Sequence, residues 1–451
     1  MPFSTLQITS VDKDETRKRI ILLASAALMI ILLVAISIFF YVWIGSSHNG
    51  YVIRVRPETE RQHNLLSALH SEDFFEIKFV NETMINGTTA IDLMISEGSL
   101  EQIENLLEQF GATYEIVEAI DEEITFPEKI DAFILGHHNS YNTIVKWMEE
   151  LTLTYSGLVE TFTMGKTHES RDIVGIRIGM TPSDTPKRAV WIDGGIHGRE
   201  WAAVHAVTFF IHQLLCQYGI DQQMTKYVDQ LEFYIVPVVN PDGYEYTRSA
   251  IDNRLWRKNR SARKCNETGY CCQGVDLNRN FDVFFGENGA SDNPCSKFYA
   301  GEGPFSEPET QAVRDFMFSD QLKGRVDAFV TMHAFGQTVL HPDTMGNMSL
   351  YINEDELKSL GSKVAEAIAN VKGSQFKSGK ASEIMYVFSG SHDWAGLVAG
   401  VTYAYCIEMP PLFTPQNKDV GFMLAKSELI PTAKEIWEGV KVVVEAAMKK
   451  G

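Results

Sequence analysis

Two histidines and a glutamate carry the first chemical signal. In "WIDGGIHGREW", residues 191–201, an apolar strand breaks at Gly194 and Gly195 and sets His197 three residues ahead of Glu200. The glycines permit a sharp turn, and residues three apart on the helix expected to begin here share a face, so both side chains can converge on one ion. His333 ends a second apolar run, "DAFVTMHAFGQ", in the same way. A His-Glu-His set that leaves a fourth position for water is the pattern of a catalytic zinc, whereas closed structural sites favour cysteine, and the chain has no C-x-x-C pair. The spacing H-x-x-E by itself is weak, because a chain with 12 histidines yields roughly one such match by chance. Its position at the end of a strand gives it weight.

The elements that must position these residues alternate. "AVWIDGGI", "LEFYIVPVV", "VDAFVTMHA" and "VTYAYCIEM" are apolar runs bounded by turn residues, and "WAAVHAVTFFIHQLLCQY" and "DELKSLGSKVAEAIANV" have helical periodicity. The pattern predicts an α/β domain over 131–451, a mixed, mostly parallel sheet flanked by helices, with ligands beyond the carboxyl ends of its strands. Glu408 stands at such an end; it reads either as a surface carboxylate or as a working acid beside the metal. His205 and His212 read as packing or surface histidines on the helix after Glu200. Residues 50–121 read as strand "YVIRVRP", helix "ETERQHNLLSALHS", strand "FFEIKFV", an "NETMINGTT" turn, strand "AIDLMIS", helix "SLEQIENLLEQFG" and strand "TYEIVEAI". That βαββαβ order predicts a ferredoxin-like unit with no chemistry of its own. An acidic connector, 122–130, joins the two.

With 451 residues, more than one folded unit is expected, and 45% apolar residues exclude a mainly disordered chain. A net charge of -19 argues against nucleic acid as partner. Residues 20–44 carry no charge, and as a helix they span about 37 Å, enough for a hydrocarbon core of roughly 30 Å. Basic residues Lys13, Arg17, Lys18 and Arg19 precede this span, so residues 1–19 read as a cytoplasmic tail and 20–44 as an uncleaved signal-anchor, the rest being lumenal or extracellular; cleavage near Gly45 and Ser47 would release it. Sequons at Asn81, Asn86, Asn259, Asn266 and Asn347, and six cysteines (Cys216, Cys265, Cys271, Cys272, Cys295, Cys406), all lie on that side.

The runs "GGIHGREW", "NRLWRK", "GVDLNRNF", "MHAFGQ", "MYVFSGSHDW" and "YCIEM" stand in the order and spacing of the zinc metallocarboxypeptidases of the digestive A/B type, which the chain resembles from Tyr51 to its C-terminus. The ferredoxin-like unit resembles that family's propeptide. The resemblance implies one zinc held by His197, Glu200 and His333. It makes Glu408 the general base and acid that takes a proton from a metal-activated water and passes it to the departing amine. Arg257 becomes the group that polarises the scissile carbonyl, with Arg254 a possible assistant, and Arg199 joins the substrate-binding set. Asn278 and Arg279 resemble the clamp on the substrate's terminal carboxylate, Tyr386 the tyrosine that closes over it, and Asp276 the acid that orients a zinc-bound imidazole. Cys272 and Cys295 fit the family's disulfide spacing; six cysteines allow many arrangements, and Cys265 with Cys271 is the further pairing taken.

The chain also departs from the family. "MPP" follows Glu408, "AF" follows His333, and the stretch from Tyr386 to Asp393 is one residue short, which brings Phe388, Gly390 and His392 to the pocket for the C-terminal side chain. His392 there is expected to disfavour a strongly basic residue. Lys129 is the one basic residue between Tyr114 and Lys146, which predicts inefficient tryptic activation. The reading is a membrane-anchored, monomeric zinc carboxypeptidase zymogen acting on peptides with a free C-terminus. The alternative is a non-catalytic peptide-binding ectodomain that keeps the fold; an endopeptidase would call for the H-E-x-x-H arrangement, which is missing.

Overall fold

Period-two and period-3.6 apolar patterns give the first unit its shape. The computed structural model describes residues 50–59, 62, 77–85, 88–109, 111–120, 133–180, 186–287, 289–345, 353–414 and 420–450. Strands β1 (Gly50–Arg56), β2 (Ile77–Ile85), β3 (Thr88–Ser96) and β4 (Thr113–Ile120) form an antiparallel sheet in the order β2-β3-β1-β4, with helix α1 (Glu97–Gln109) against it. Ile53 and Val55, then Ile91, Leu93 and Ile95, alternate into the core, where Ile103 and Leu107 of α1 meet them one turn apart. This is the strand order of the ferredoxin-like unit. The turn anticipated from Asn81 is shorter than expected: β2 continues to Ile85, which pairs with Thr88. The helix expected between β1 and β2, the connector with Lys129, the span 20–44, Asn86 and Asn347 lie outside the described residues. Among the described residues no helix is long and apolar enough to cross a membrane.

The second unit begins with α2 (Tyr141–Thr154), whose N-terminus is closed by the Ser140 hydroxyl accepting from the Thr143 N–H. There follow β5 (Val159–Lys166), β6 (Asp172–Ile178), β7 (Arg188–Asp193), α3 (Trp201–Cys216), α4 (Gln222–Gln230), β8 (Leu231–Val236) and α5 (Pro241–Thr247). A two-residue hairpin, β9 (Lys264–Cys265) with β10 (Cys271–Cys272), precedes α6 (Pro308–Met317), β11 (Val326–Ala334), β12 (Thr338–Leu340), α7 (Glu354–Lys372), β13 (Lys377–Gly379), α8 (Ser391–Leu397), β14 (Tyr403–Met409) and α9 (Lys426–Lys450).

Eight strands form one sheet in the order β13-β12-β14-β11-β7-β8-β6-β5. Its centre, β14-β11-β7-β8, is parallel, and antiparallel pairs appear toward both edges. The central strands are buried along their length because helices cover both faces. Val190 and Ile192 of β7 point to the face covered by α3 and α9, while Ala189 and Trp191 point to the face of α6 and α8. Burying both faces fixes the register, since a one-residue slip would exchange the two sets. The parallel centre aligns the carboxyl ends of β7, β11 and β14 at one edge of the sheet.

Candidate active site

Beyond Asp193, at the end of β7, the chain must turn sharply against α3. Gly195 makes this turn at φ +60, where a Cβ would lie 2.9 Å from a Val204 methyl and 3.1 Å from the Val238 Cα, so glycine is required on both counts. His197 to Glu200 then form a tight turn closed by the Glu200 N–H donating to the His197 carbonyl at 3.2 Å. Helix α3 begins at Trp201. The expectation that His197 and Glu200 share a helical face is therefore corrected: the turn ahead of the helix brings them together.

Both Glu200 oxygens are engaged. His197 Nδ1 lies 2.7 Å from Oε1 and His333 Nδ1, at the end of β11, 3.1 Å from Oε2, which also accepts the Ala334 N–H at 3.2 Å. The three side chains are almost fully buried, and their ligand atoms lie within 4.8 Å of one another. Two imidazole nitrogens and a carboxylate oxygen at this spacing fit a tetrahedral zinc, whose ligands stand about 2.0–2.2 Å from the ion. The outer nitrogens decide which atoms face the ion. His197 Nε2 is 3.2 Å from Asp276 Oδ1, and His333 Nε2 is 3.4 Å from Thr331 Oγ1, which spends its own proton on Asp193 at 2.6 Å. With an ion held at the two Nδ1 atoms, these acceptors would keep each imidazole proton on Nε2. Thr331 and Asp193 were missed in the sequence; a hydroxyl two residues before a ligand histidine and an acid ending a buried strand were the signals.

Asp276 also accepts the Asn278 N–H at 3.1 Å and Arg257 Nε at 2.9 Å. Burial pushes its carboxyl up, but Arg257 and Arg279 outweigh that and hold it well below the usual carboxylate range. Arg257 NH1 in turn stands 3.3 Å from His197 Nδ1 and 3.7 Å from Glu200 Oε1, so its positive group borders the ion position.

Glu408 ends β14 in register with His333 on the neighbouring parallel strand. Residues in register on adjacent strands point to one face about 4.8 Å apart, which sets this carboxyl beside the His-Glu-His group. Burial pushes it up to about 7, with His333 pulling it down and Glu200 adding to the rise.

Arg279 lies on a short 3-10 turn, Leu277–Arg279, capped by the Asp276 side chain. Its Nε donates to Gly289 O at 2.8 Å, NH1 to Asn278 O at 2.9 Å and NH2 to the Tyr386 hydroxyl at 3.2 Å. Tyr386 is 44% exposed. The Asn278 side-chain oxygen Oδ1 accepts the Ser391 N–H at 2.8 Å, and Gly390 is held to glycine because a Cβ would lie 2.6 Å from that oxygen. His392 is wholly buried, 6.2 Å from the Phe388 ring, with neither ring nitrogen hydrogen-bonded among the described residues. Burial pushes it down to about 3, so it is neutral and offers no charge to repel a basic side chain.

Arg254 does not join this group. It is fully buried, donates to the Arg199 and Phe422 carbonyls at 2.8 Å each, and stacks 3.7 Å over the Trp201 ring. Arg199 stacks 4.0 Å over Phe422 and lines a cavity together with Arg257, Trp256 and Arg260. His205 accepts the Gly136 N–H at 3.1 Å in the core, and His212 is half-buried. Disulfides join Cys272 to Cys295 and Cys265 to Cys271, while Cys216 and Cys406 are free thiols. Six paired cysteines were compatible with the sequence; Cys216, part-exposed at the end of α3, and Cys406, buried within β14, are not paired. The sequon at Asn259 is closed to a glycan in the folded chain, since its amide is buried and donates to Glu307 and Glu309 at 2.7 and 3.0 Å.

Residues 144–439 match the family described as zinc carboxypeptidase, and residues 53–119 match the carboxypeptidase activation peptide. The chain belongs to the zinc carboxypeptidases, a family that uses one zinc, and carries that family's activation-peptide unit ahead of the catalytic domain. It is 31% identical over 424 residues to carboxypeptidase A2 of Mus musculus, covering 91% of this chain and 97% of that protein. Carboxypeptidase O of Bos taurus is 35% identical over 335 residues, covering 74% and 85% of the two chains. The crystal structure of thrombin activatable fibrinolysis inhibitor superposes with a TM-score of 0.71 at 27% identity, covering 90% of this chain and all of that one.

Proposed function

We propose that this chain is an exopeptidase that hydrolyses the last peptide bond of peptides with a free C-terminus, with Glu408 as general base and acid. The observation that carries the reading is the register of Glu408 with His333, which sets a carboxyl raised to about 7 beside the His197-Glu200-His333 group. A bound zinc supplies Lewis acidity to water and to the scissile carbonyl. Glu408 takes the proton of the attacking water and delivers it to the leaving nitrogen. Arg257 stabilises the charge that develops on the carbonyl oxygen. Asn278 and Arg279 hold the terminal carboxylate, for which the planar guanidinium offers paired donors, and Tyr386 closes over it. His392, neutral and unpaired, discriminates by hydrogen bonding and shape, favouring aromatic over basic C-terminal residues.

Activation by removal of residues 50–121, anchoring through 20–44 and an extracellular or lumenal site belong to the same reading; the two disulfides support an oxidising compartment. The site is complete within one chain, as a monomer requires. Matched peptides ending in a free carboxylate or in an amide test the central step. Rapid, chelator-sensitive release from the free acid with no release from the amide is expected, with C-terminal Phe ahead of Lys. Equal cleavage of acid and amide would contradict the exopeptidase reading.

A further inference from the structure

On the far side of Asn259 from the catalytic group, three more side chains converge. His168 lies in the turn between β5 and β6, Glu307 occupies the N-cap position of α6, and Glu309 lies in its first turn. His168 Nε2 is 2.9 Å from Glu307 Oε2, and the ligand atoms of all three residues lie within 4.8 Å of one another. The Asn259 amide nitrogen ties the two carboxylates together, donating to Glu307 Oε2 at 2.7 Å and Glu309 Oε2 at 3.0 Å, while Ser306 Oγ donates to Glu307 Oε1 at 2.8 Å. Its orientation is fixed, because Asn259 Oδ1 accepts the Val275 N–H at 2.8 Å. That leaves Glu309 Oε1, which belongs to a residue with no exposed surface and has no hydrogen-bond partner among the described residues.

We propose that His168, Glu307 and Glu309 form a second divalent-cation site, separate from the catalytic one. A buried carboxylate oxygen without a partner, next to a second buried carboxylate, is costly unless a positive species joins them. One imidazole nitrogen with two carboxylate oxygens suits a first-row transition metal; calcium takes six to eight oxygens, and magnesium near-octahedral oxygen. Access is from the His168 side, where that side chain is 33% exposed against 7% for Glu307.

The site bears on the catalytic group through the backbone. The Asn259 N–H donates to the Val275 carbonyl at 3.0 Å, two residues after Arg257 and one before Asp276. A cation held by Glu307 and Glu309 would brace Asn259, and with it the paired segments that carry Arg257 and Asp276. Zinc is the probe. The intact chain is equilibrated with zinc by dialysis, and bound metal is counted by elemental mass spectrometry for wild type, E309Q, H168Q and E200Q. Wild type is expected to hold one equivalent more than E309Q or H168Q, with E200Q losing the other equivalent. H168Q, altered in a part-exposed turn, carries the test if E309Q does not fold. The same metal content in wild type, E309Q and H168Q would overturn the second site without touching the exopeptidase reading, which the peptide assay tests by itself.

Discussion

Glu200 shares its two oxygens between two imidazoles, and Asp276 and Thr331 take the opposite nitrogens. With an ion at the Nδ1 atoms, Asp276 and Thr331 would hold the protons of the opposite nitrogens, so affinity depends on residues that do not touch the metal. Asp276→Asn keeps the shape but removes the charge facing both His197 and Arg257. Zinc affinity, measured by competition with a chelator, is expected to fall about 10- to 100-fold; an unchanged affinity would refute the orienting role. The residue types of this group were legible in the sequence. The different surroundings of the two arginines were not legible, because "NRLWRK" does not show that Arg254 stacks on Trp201 while Arg257, three residues on, reaches Asp276.

At the scale of elements, three parallel strands and the turns after them build the site. The apolar runs ending at Asp193, Ala334 and Met409 were readable as buried strands, and the glycine pair after β7 as a turn. The start of α3 was not, since a turn closed at i,i+3 and a first helical turn have the same spacing in the sequence. Pairing of Cys265 with Cys271, six residues apart in sequence, matches the expectation because strands β9 and β10 set them in register. The cluster of His168 with Glu307 and Glu309 was invisible, since 139 residues separate its hydrogen-bonded pair. Gly195→Ala tests the turn: the forced left-handed backbone and the contact with Val204 are expected to cost about 1–3 kcal/mol in urea denaturation. A stability equal to wild type would show that the turn relaxes freely.

For the whole molecule, the sheet splits the core into two faces and leaves its carboxyl edge for chemistry, while the ferredoxin-like sheet keeps a core of its own. The change in pattern near residue 120 was the signal for two units, and the described residues on either side of it bury separate apolar sets. On the proposed activation by cleavage in the connector, the sequence offers trypsin one Lys or Arg, Lys129, between Tyr114 and Lys146. Trypsin at a ratio that converts a chain with a multiply basic connector is expected to release little activity here, followed by electrophoresis and peptide assay. Rapid conversion with cleavage elsewhere would contradict the expectation.

The account rests on Glu408 working beside a metal that it does not hold. Glu408→Gln is isosteric and leaves His197, Glu200 and His333 in place, so metal content and turnover are to be measured on the same preparation. The account predicts the wild-type zinc content with release of C-terminal residues slowed by about 100- to 10,000-fold. A variant that keeps its zinc and its full rate would contradict it.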